Sequence, residues 1–263
     1  MMRRILNAYA LEYVKYSRQP ITLVGPVMIA ILVLLAPLGY PLGEEEGGDY
    51  GFIAYTVPMA LNLFGFLMVL VYSASLVSTE LGNGTLRMVL LRPIRRRELL
   101  TAKVLIGMTY ALLLALVASL GAWAAAYLMG NLRGVEYGGE LIYSNAEMQQ
   151  AFVVAVLLNV LTLWAGVAWG VMFSTFTRNS ATAIGLAVGS WLLIDLLKHP
   201  LNIAPLFFSS YLDEAWVVFA DRTAAFETSF VPGAYYGAAT ALGTSIFCLG
   251  LALVVLDRRN LGS

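Results

Sequence analysis

Six stretches of the chain stay apolar over roughly the 20 residues that a helix needs to cross a hydrocarbon layer about 30 Å thick. They run over residues 21–38, 52–77, 104–129, 151–173, 181–197 and 235–256, and the fifth is the shortest. No other property of the sequence restricts the fold so tightly. In lipid, every backbone N–H and C=O must be paired within the segment or within a closed barrel, so apolar runs of this length span as helices. The chain is therefore read as all-α, a polytopic membrane protein with six transmembrane helices in one domain covering residues 21–263. Composition agrees. With 60% hydrophobic and only 12% charged residues, a water-soluble fold of this length would lack the polar side chains to cover itself.

Charge then orients the spans. An even number of crossings puts both termini on one side. That side would carry Arg3, Arg4, Lys15, Arg18, Arg87, Arg92, Arg95, Arg96, Arg97, Lys103, Arg178, Arg258 and Arg259, against Arg133, Lys198 and Arg222 on the other. Lys and Arg in short loops are retained in the cytoplasm, so the expected location is the cell membrane, multi-pass, with both termini cytoplasmic. Most acidic residues fall in the loops expected outside, beginning with Glu44, Glu45, Glu46 and Asp49, and a solvated acidic loop is expected there. The basic N-terminus followed by an apolar run lacks an Ala-x-Ala cleavage site, and Pro26 interrupts it, so it reads as a retained first span.

Residues 1–20 are too polar to enter the bilayer. On a helix, Ile5, Tyr9, Tyr13 and Tyr16 form a stripe with Arg4, Lys15 and Arg18 lying elsewhere, the pattern of a helix lying in the membrane interface. Between spans 5 and 6, residues 200–233 carry Phe207, Phe208, Tyr211, Trp216, Phe219, Phe226 and Phe230. Too aromatic for a solvated loop, this segment is expected to form short helices at the outer interface. The loop of residues 130–150 reads as polar and featureless.

Few polar side chains lie within the spans. Asn62 in span 2 and Asn159 in span 4 are candidates to line a path, since an Asn at that depth normally turns toward protein or water; hydrogen bonding between helices accounts for them equally well. Asp195 at the end of span 5 faces Lys198 and His199 at i+3 and i+4, the spacing of an interfacial ion pair.

Several chemistries are excluded. A phosphate-binding loop requires Gly-x-x-x-x-Gly-Lys followed by Ser or Thr, whereas Lys15, Lys103 and Lys198 precede Tyr16, Val104 and His199. With one histidine and one cysteine, a zinc site of the usual kind is out of reach. No catalytic residue, metal site or cofactor is assigned to the chain, and no nucleic-acid partner.

One stretch, residues 80–103, gathers charge, turn residues and amphipathic pattern. Gly84 permits a turn, Thr85 is a suitable N-cap, and Leu86, Val89 and Leu90 share one face of a short helix that Pro93 ends. Arg95, Arg96 and Arg97 then form a cationic corner with Glu98.

Here the sequence resembles the permease subunits of ABC type-2 exporters, half-size membrane components that work with a separate ATP-binding protein. Their loop between spans 2 and 3 reads Glu, then Gly-Thr-Leu, Leu-Leu, Pro, Arg and Lys. The corresponding residues are Glu80, Gly84-Thr85-Leu86, Leu90-Leu91, Arg92-Pro93, Arg95 to Arg97 and Lys103. The resemblance implies that residues 85–91 dock as a coupling helix on an ABC ATP-binding subunit, that residues 80–103 form the whole contact, with Glu80, Gly84, Arg87, Arg92, Pro93, Arg95, Arg96 and Arg97 in it, and that the stripe of the N-terminal helix adds a second contact. It also implies two copies of that subunit, ATP and Mg bound there, and a second permease chain, identical or a close paralogue, in the lipid bilayer. An intramembrane enzyme or an ion-coupled carrier without an ATPase partner is the alternative; the spans hold no acid, base and nucleophile group for the first and no set of midplane charges for the second.

The charge asymmetry generates a topological prediction. In a Cys248→Ala background, Glu45→Cys should react with an impermeant thiol reagent in intact cells, and Arg96→Cys should react only after the membrane is opened. Strong labelling of Arg96→Cys in intact cells would reverse the orientation.

Overall fold

The computed structural model describes residues 2–43, 49–84, 95–138 and 140–258. Its six long apolar helices match the expected spans: Pro20–Leu38, Tyr50–Gly82, Arg96–Met129, Asn145–Phe176, Ser180–Leu197 and Gly233–Arg258, numbered here as spans 1 to 6. Pro20 occupies the first turn of span 1, where its missing N–H removes no helical bond, and the helix continues through Pro26. Span 3 starts with Glu98 turned back on the Arg95 amide at 2.9 Å. Span 4 starts with a reciprocal cap between Ser144 and Glu147, and span 5 with the Asn179 side chain accepting from the Ala181 amide. Each cap satisfies amides that the first helical turn leaves without intrahelical partners.

The spans are unequal. In the most apolar window of spans 2, 3 and 4, half or more of the residues are buried, against about a fifth in spans 1, 5 and 6. Spans 2, 3 and 4 thus form the centre. Small residues set how closely they pack. A Cβ on Gly166 would lie 2.4 Å from the Phe66 ring, and one on Gly170 would lie 1.9 Å from Ser73 Oγ. These two glycines, one helical turn apart on span 4, let the backbone of span 2 approach closely. Below them Ser174 Oγ accepts from the amides of Val77 and Ser78, both at 2.9 Å, a direct bond between the two helices.

Span 2 is interrupted by a π-helical segment, Met59–Gly65, which directly follows Pro58 and carries Asn62. The sequence reading treats span 2 as one regular helix, and nothing in its hydropathy marks the change of winding.

An amphipathic helix, α1 (Met2–Ser17), lies beside the bundle. Its end of the molecule is called the near end here and the opposite one the far end. The buried stripe of α1 is Ala8, Glu12 and Tyr16, at 2%, 6% and 4% exposure, and not the expected line through Ile5, Tyr9, Tyr13 and Tyr16. Tyr13 is 52% exposed. The stripe shifts because a carboxylate, and not another tyrosine, meets the bundle.

The far end is more ordered than its loops suggest. Residues 130–150 include an antiparallel hairpin, Val135–Tyr137 with Glu140–Tyr143, in place of a featureless loop. Asp49, expected in a solvated acidic loop, is buried at 1% exposure. Its carboxylate accepts from the amides of Gly43 and Asn131, joining the start of span 2 to the end of span 3. Residues 200–233 form short helices as expected, among them Glu214–Thr223. Their aromatics serve protein packing: Phe208, Trp216 and Phe219 are buried, and Trp216 and Phe219 meet edge-on at 6.0 Å.

The close packing of spans 2 and 4 can be tested directly. Gly170→Ala should destabilise the protein by about 1–3 kcal/mol through overpacking, read as a lowered melting temperature in detergent. Gly185→Ala, whose added methyl meets nothing within 4 Å, should leave it unchanged.

Candidate functional site

Four charged side chains converge at the near end. Lys103, in the second turn of span 3, is 1% exposed. Its ammonium lies 3.1 Å from Glu12 Oε2 and 2.9 Å from Glu80 Oε1. It also donates to the Leu76 carbonyl at 2.9 Å and to Tyr16 Oη at 3.4 Å. Lys15 pairs with Glu80 from the α1 side. Two carboxylates and two ammoniums thus sum to no net charge. Neutrality is what permits burial here, because a lone ammonium in a low-dielectric site would cost several kcal/mol.

Three elements meet in this cluster: α1 through Glu12, Lys15 and Tyr16, span 2 through Leu76 and Glu80, and span 3 through Lys103. Tyr16 completes it by donating to the Leu76 carbonyl at 2.9 Å. Burial, reinforced by the charge of Glu80, pushes the Tyr16 phenol far above its ordinary range, so it remains a donor throughout physiological pH. The Tyr72 and Tyr110 rings stack at 4.0 Å just beyond, and Tyr16 meets Tyr72 at 5.9 Å.

Chain connectivity gives the cluster its significance. Residues 85–94 join spans 2 and 3. Glu80 lies five residues before residue 85 and Lys103 nine after residue 94, so both approaches to this segment are fastened to α1. Gly84 opens the turn with φ +68°, in the left-handed region that suits glycine. Thr85, Leu86, Arg87, Val89, Leu90, Arg92 and Pro93 lie outside the described residues.

Arg95 contributes its backbone amide to the cap at the start of span 3. Arg96 donates to the carbonyls of Leu256 and Asp257 at 2.8 and 3.1 Å, a cation placed at the negative end of the span 6 helix. Arg97 pairs with Asp257 at 3.1 Å. Two of the three arginines therefore tie span 3 to span 6. Glu80, grouped by sequence with a surface contact, is 2% exposed and points into the protein.

Asn62 and Asn159 are brought together part-way along the bundle, Asn159 at the middle of span 4. Asn159 donates to Asn62 Oδ1 at 3.0 Å and to the Leu212 carbonyl at 3.2 Å, and Asn62 donates to Asp213 at 2.5 Å. Spans 2 and 4 and residues 200–233 are thereby linked through one polar chain. Asp195 accepts from Lys198 at 2.6 Å and from Ser209 at 3.2 Å, as an interfacial ion pair should, while His199 is exposed. Among the described residues no group of His, Cys, Asp and Glu could hold a metal.

Sequence reasoning missed Glu12. Its signal was present: a single acid on an otherwise basic helix, at i+4 from Ala8 and i−4 from Tyr16.

A family model described as ABC-2 family transporter protein matches residues 9–193, from α1 through most of span 5. The chain belongs to this family. The probable ABC transporter permease protein NosY of Stutzerimonas stutzeri is 30% identical over 193 residues, 69% of this chain and 65% of that protein. An uncharacterized membrane protein of Bacillus subtilis (strain 168), YdbK, is 24% identical over 199 residues, 70% of this chain and 74% of its own. Every residue of the near-end cluster falls within the family match. The ABC-2 chain is a multi-pass membrane protein and a permease subunit by kinship, and family membership implies an ABC ATP-binding partner in general.

Charge burial in the cluster gives a measurable expectation. Lys103→Met should cost about 3–5 kcal/mol, because it leaves Glu12 and Glu80 with one ammonium between them. The double variant Glu12→Gln/Lys103→Met should lose much less than the two single losses added together. Thermal melts of the single and double variants measure that coupling, and additivity would show that the groups do not interact.

Proposed function

We propose that this ABC-2 protein is the membrane subunit of an ATP-driven exporter, with residues 85–91 forming the helix that docks on a separate ATP-binding subunit. The carrying observation is the buried cluster at Glu80 and Lys103. A segment that transmits movement must be joined stiffly to what it moves, and here both ends of the connecting segment are held to the bundle by a shared ion network. Leu86, Val89 and Leu90 supply an apolar ridge suited to a helix-in-groove contact, flanked by Arg87 and Arg92.

In this reading the near end is cytoplasmic, two ATP-binding subunits carry the ATP and Mg, and the chain itself holds no cofactor. A second permease chain, a copy or a close paralogue, completes a path lined in part by spans 2 and 5. Among the described residues, spans 1, 5 and 6 bury only about a fifth of their most apolar window within the chain, which leaves their outer faces for lipid or for the second chain. Asn62 and Asn159 line the path part-way along the bundle. Their bonds to Asp213 and to the Leu212 carbonyl would have to rearrange for the path to open there.

The test is a substitution that leaves all basic residues in place. Leu90→Asp should insert normally and bind no ATPase, with transport abolished; burying one Leu of this kind is worth roughly 1.5–3 kcal/mol. Arg96→Gln should have the smaller effect on docking, since Arg96 is committed to the end of span 6. Co-purification of the ATPase with each variant decides, and retention of the ATPase by Leu90→Asp would remove the coupling role from this segment.

A further inference from the structure

A cleft of about 190 Å³ opens beside the near-end cluster, between α1 and spans 1, 2 and 3. Its inner wall includes Tyr16, Tyr72 and Ile106, its rim Tyr13 and Ser17, and its membrane-facing edge Leu23 and Leu113. Leu23 and Leu113 are 61% and 42% exposed and belong to spans 1 and 3. The cleft is thus open to the hydrocarbon on one side and to the interface on the other. Its size is well under the roughly 300–1,000 Å³ of a site that encloses a small ligand whole. What it accommodates is one segment of a longer flexible molecule whose remainder lies in the bilayer.

Charge selects the headgroup. The Tyr16 ring already has the Lys15 and Lys103 ammoniums at 5.1 and 5.4 Å from its centre, so its aromatic face is committed to resident cations and not to a cationic ligand. The exposed face of α1 carries Arg4 and Lys15, with Arg18 exposed directly after the helix, and, among the described residues, no acid, because Glu12 is turned inward. Arg4 and Arg18 make no ion pair among the described residues. Arg18 adjoins Ser17 at the rim. Basic groups at this depth attract anionic lipid, and exposed Leu6, Leu11 and Val14 on the same helix give it an apolar hold on the interface.

We propose that this cleft is a binding site for an anionic phospholipid, with the start of an acyl chain between Leu23, Ile106 and Leu113 and the phosphate at Arg18 and Ser17. The site needs no ATPase and is independent of the transport reading. Because it is walled by Tyr16 and Tyr72, a bound lipid would bear on the same residues that hold α1 to spans 2 and 3.

The probe is a phosphatidylglycerol with a diazirine near the carbonyl end of one acyl chain. Traces of it are placed in nanodiscs of phosphatidylcholine and phosphatidylglycerol holding the full chain, and adducts are mapped by mass spectrometry. Adducts should concentrate on Tyr13, Leu23 and Leu113 about tenfold over Leu251 and Val254, which are exposed on span 6 toward the same end of the bundle. Unlabelled phosphatidylglycerol should displace the probe at about one tenth the concentration that phosphatidylcholine requires. Arg18→Gln should abolish that difference, and Ser17→Trp, which fills the rim at an exposed position, should reduce adducts in the cleft while those on span 6 persist. Equal labelling of the cleft and span 6 would mean boundary lipid only, and displacement by phosphatidylcholine as effective as by phosphatidylglycerol would exclude an anionic site; either result overturns the proposal.

Discussion

A buried lysine between two carboxylates holds the near end of this protein together. The Lys103 ammonium lies 3.1 and 2.9 Å from the Glu12 and Glu80 carboxylates, and the Leu76 carbonyl and Tyr16 Oη accept from it at 2.9 and 3.4 Å. An arrangement of this kind adds little net stability over an apolar substitute, because desolvating the charges offsets most of their attraction. What it supplies is register. Each charge has one place where it can be buried, so α1 cannot slide or rotate along spans 2 and 3 without exposing an unpaired ion to a low-dielectric site. An apolar stripe alone would tolerate such slippage.

The same logic applies, more weakly, away from the near end. Asp49 joins spans 2 and 3 through backbone amides, and the chain from Asn159 through Asn62 to Asp213 joins spans 2 and 4 to residues 200–233. Between these polar layers the bundle is held by shape. Gly166 and Gly170 allow spans 2 and 4 to approach closely, and in a bilayer such packing carries the association because lipid is as apolar as leucine. Asp49 and the near-end cluster fasten the two ends, and the Asn62–Asn159 pair adds one polar link within the otherwise apolar middle.

Much of the fold was legible because the bilayer makes it so. All six spans, the interfacial helix and the short helices of residues 200–233 followed from hydropathy and aromatic placement. The loops were less legible: the hairpin of residues 135–143 and the burial of Asp49 depend on partners far apart in sequence, and no local pattern announces them. The π-helical segment around Asn62 follows Pro58, yet a proline in a membrane helix more often leaves the α-helical winding in place. The site was half legible. Glu80, Gly84 and Lys103 stood out as bounds of the connecting segment, but the partner that gives Glu80 and Lys103 their meaning, Glu12, lies 68 and 91 residues away from them.

By itself the sequence determined what must be inside the membrane, since each span satisfies its own backbone and reveals itself by length and apolarity. Family kinship and the position of the segment between spans 2 and 3 were likewise carried by local residues. Only the tertiary structure decided which face of α1 is buried, which charges neutralise one another, and that Asn62 and Asn159 touch. Those outcomes turn on desolvation. A charge or amide finds its partner by the free energy of the whole assembled site, and that energy is not a property of any one stretch of chain.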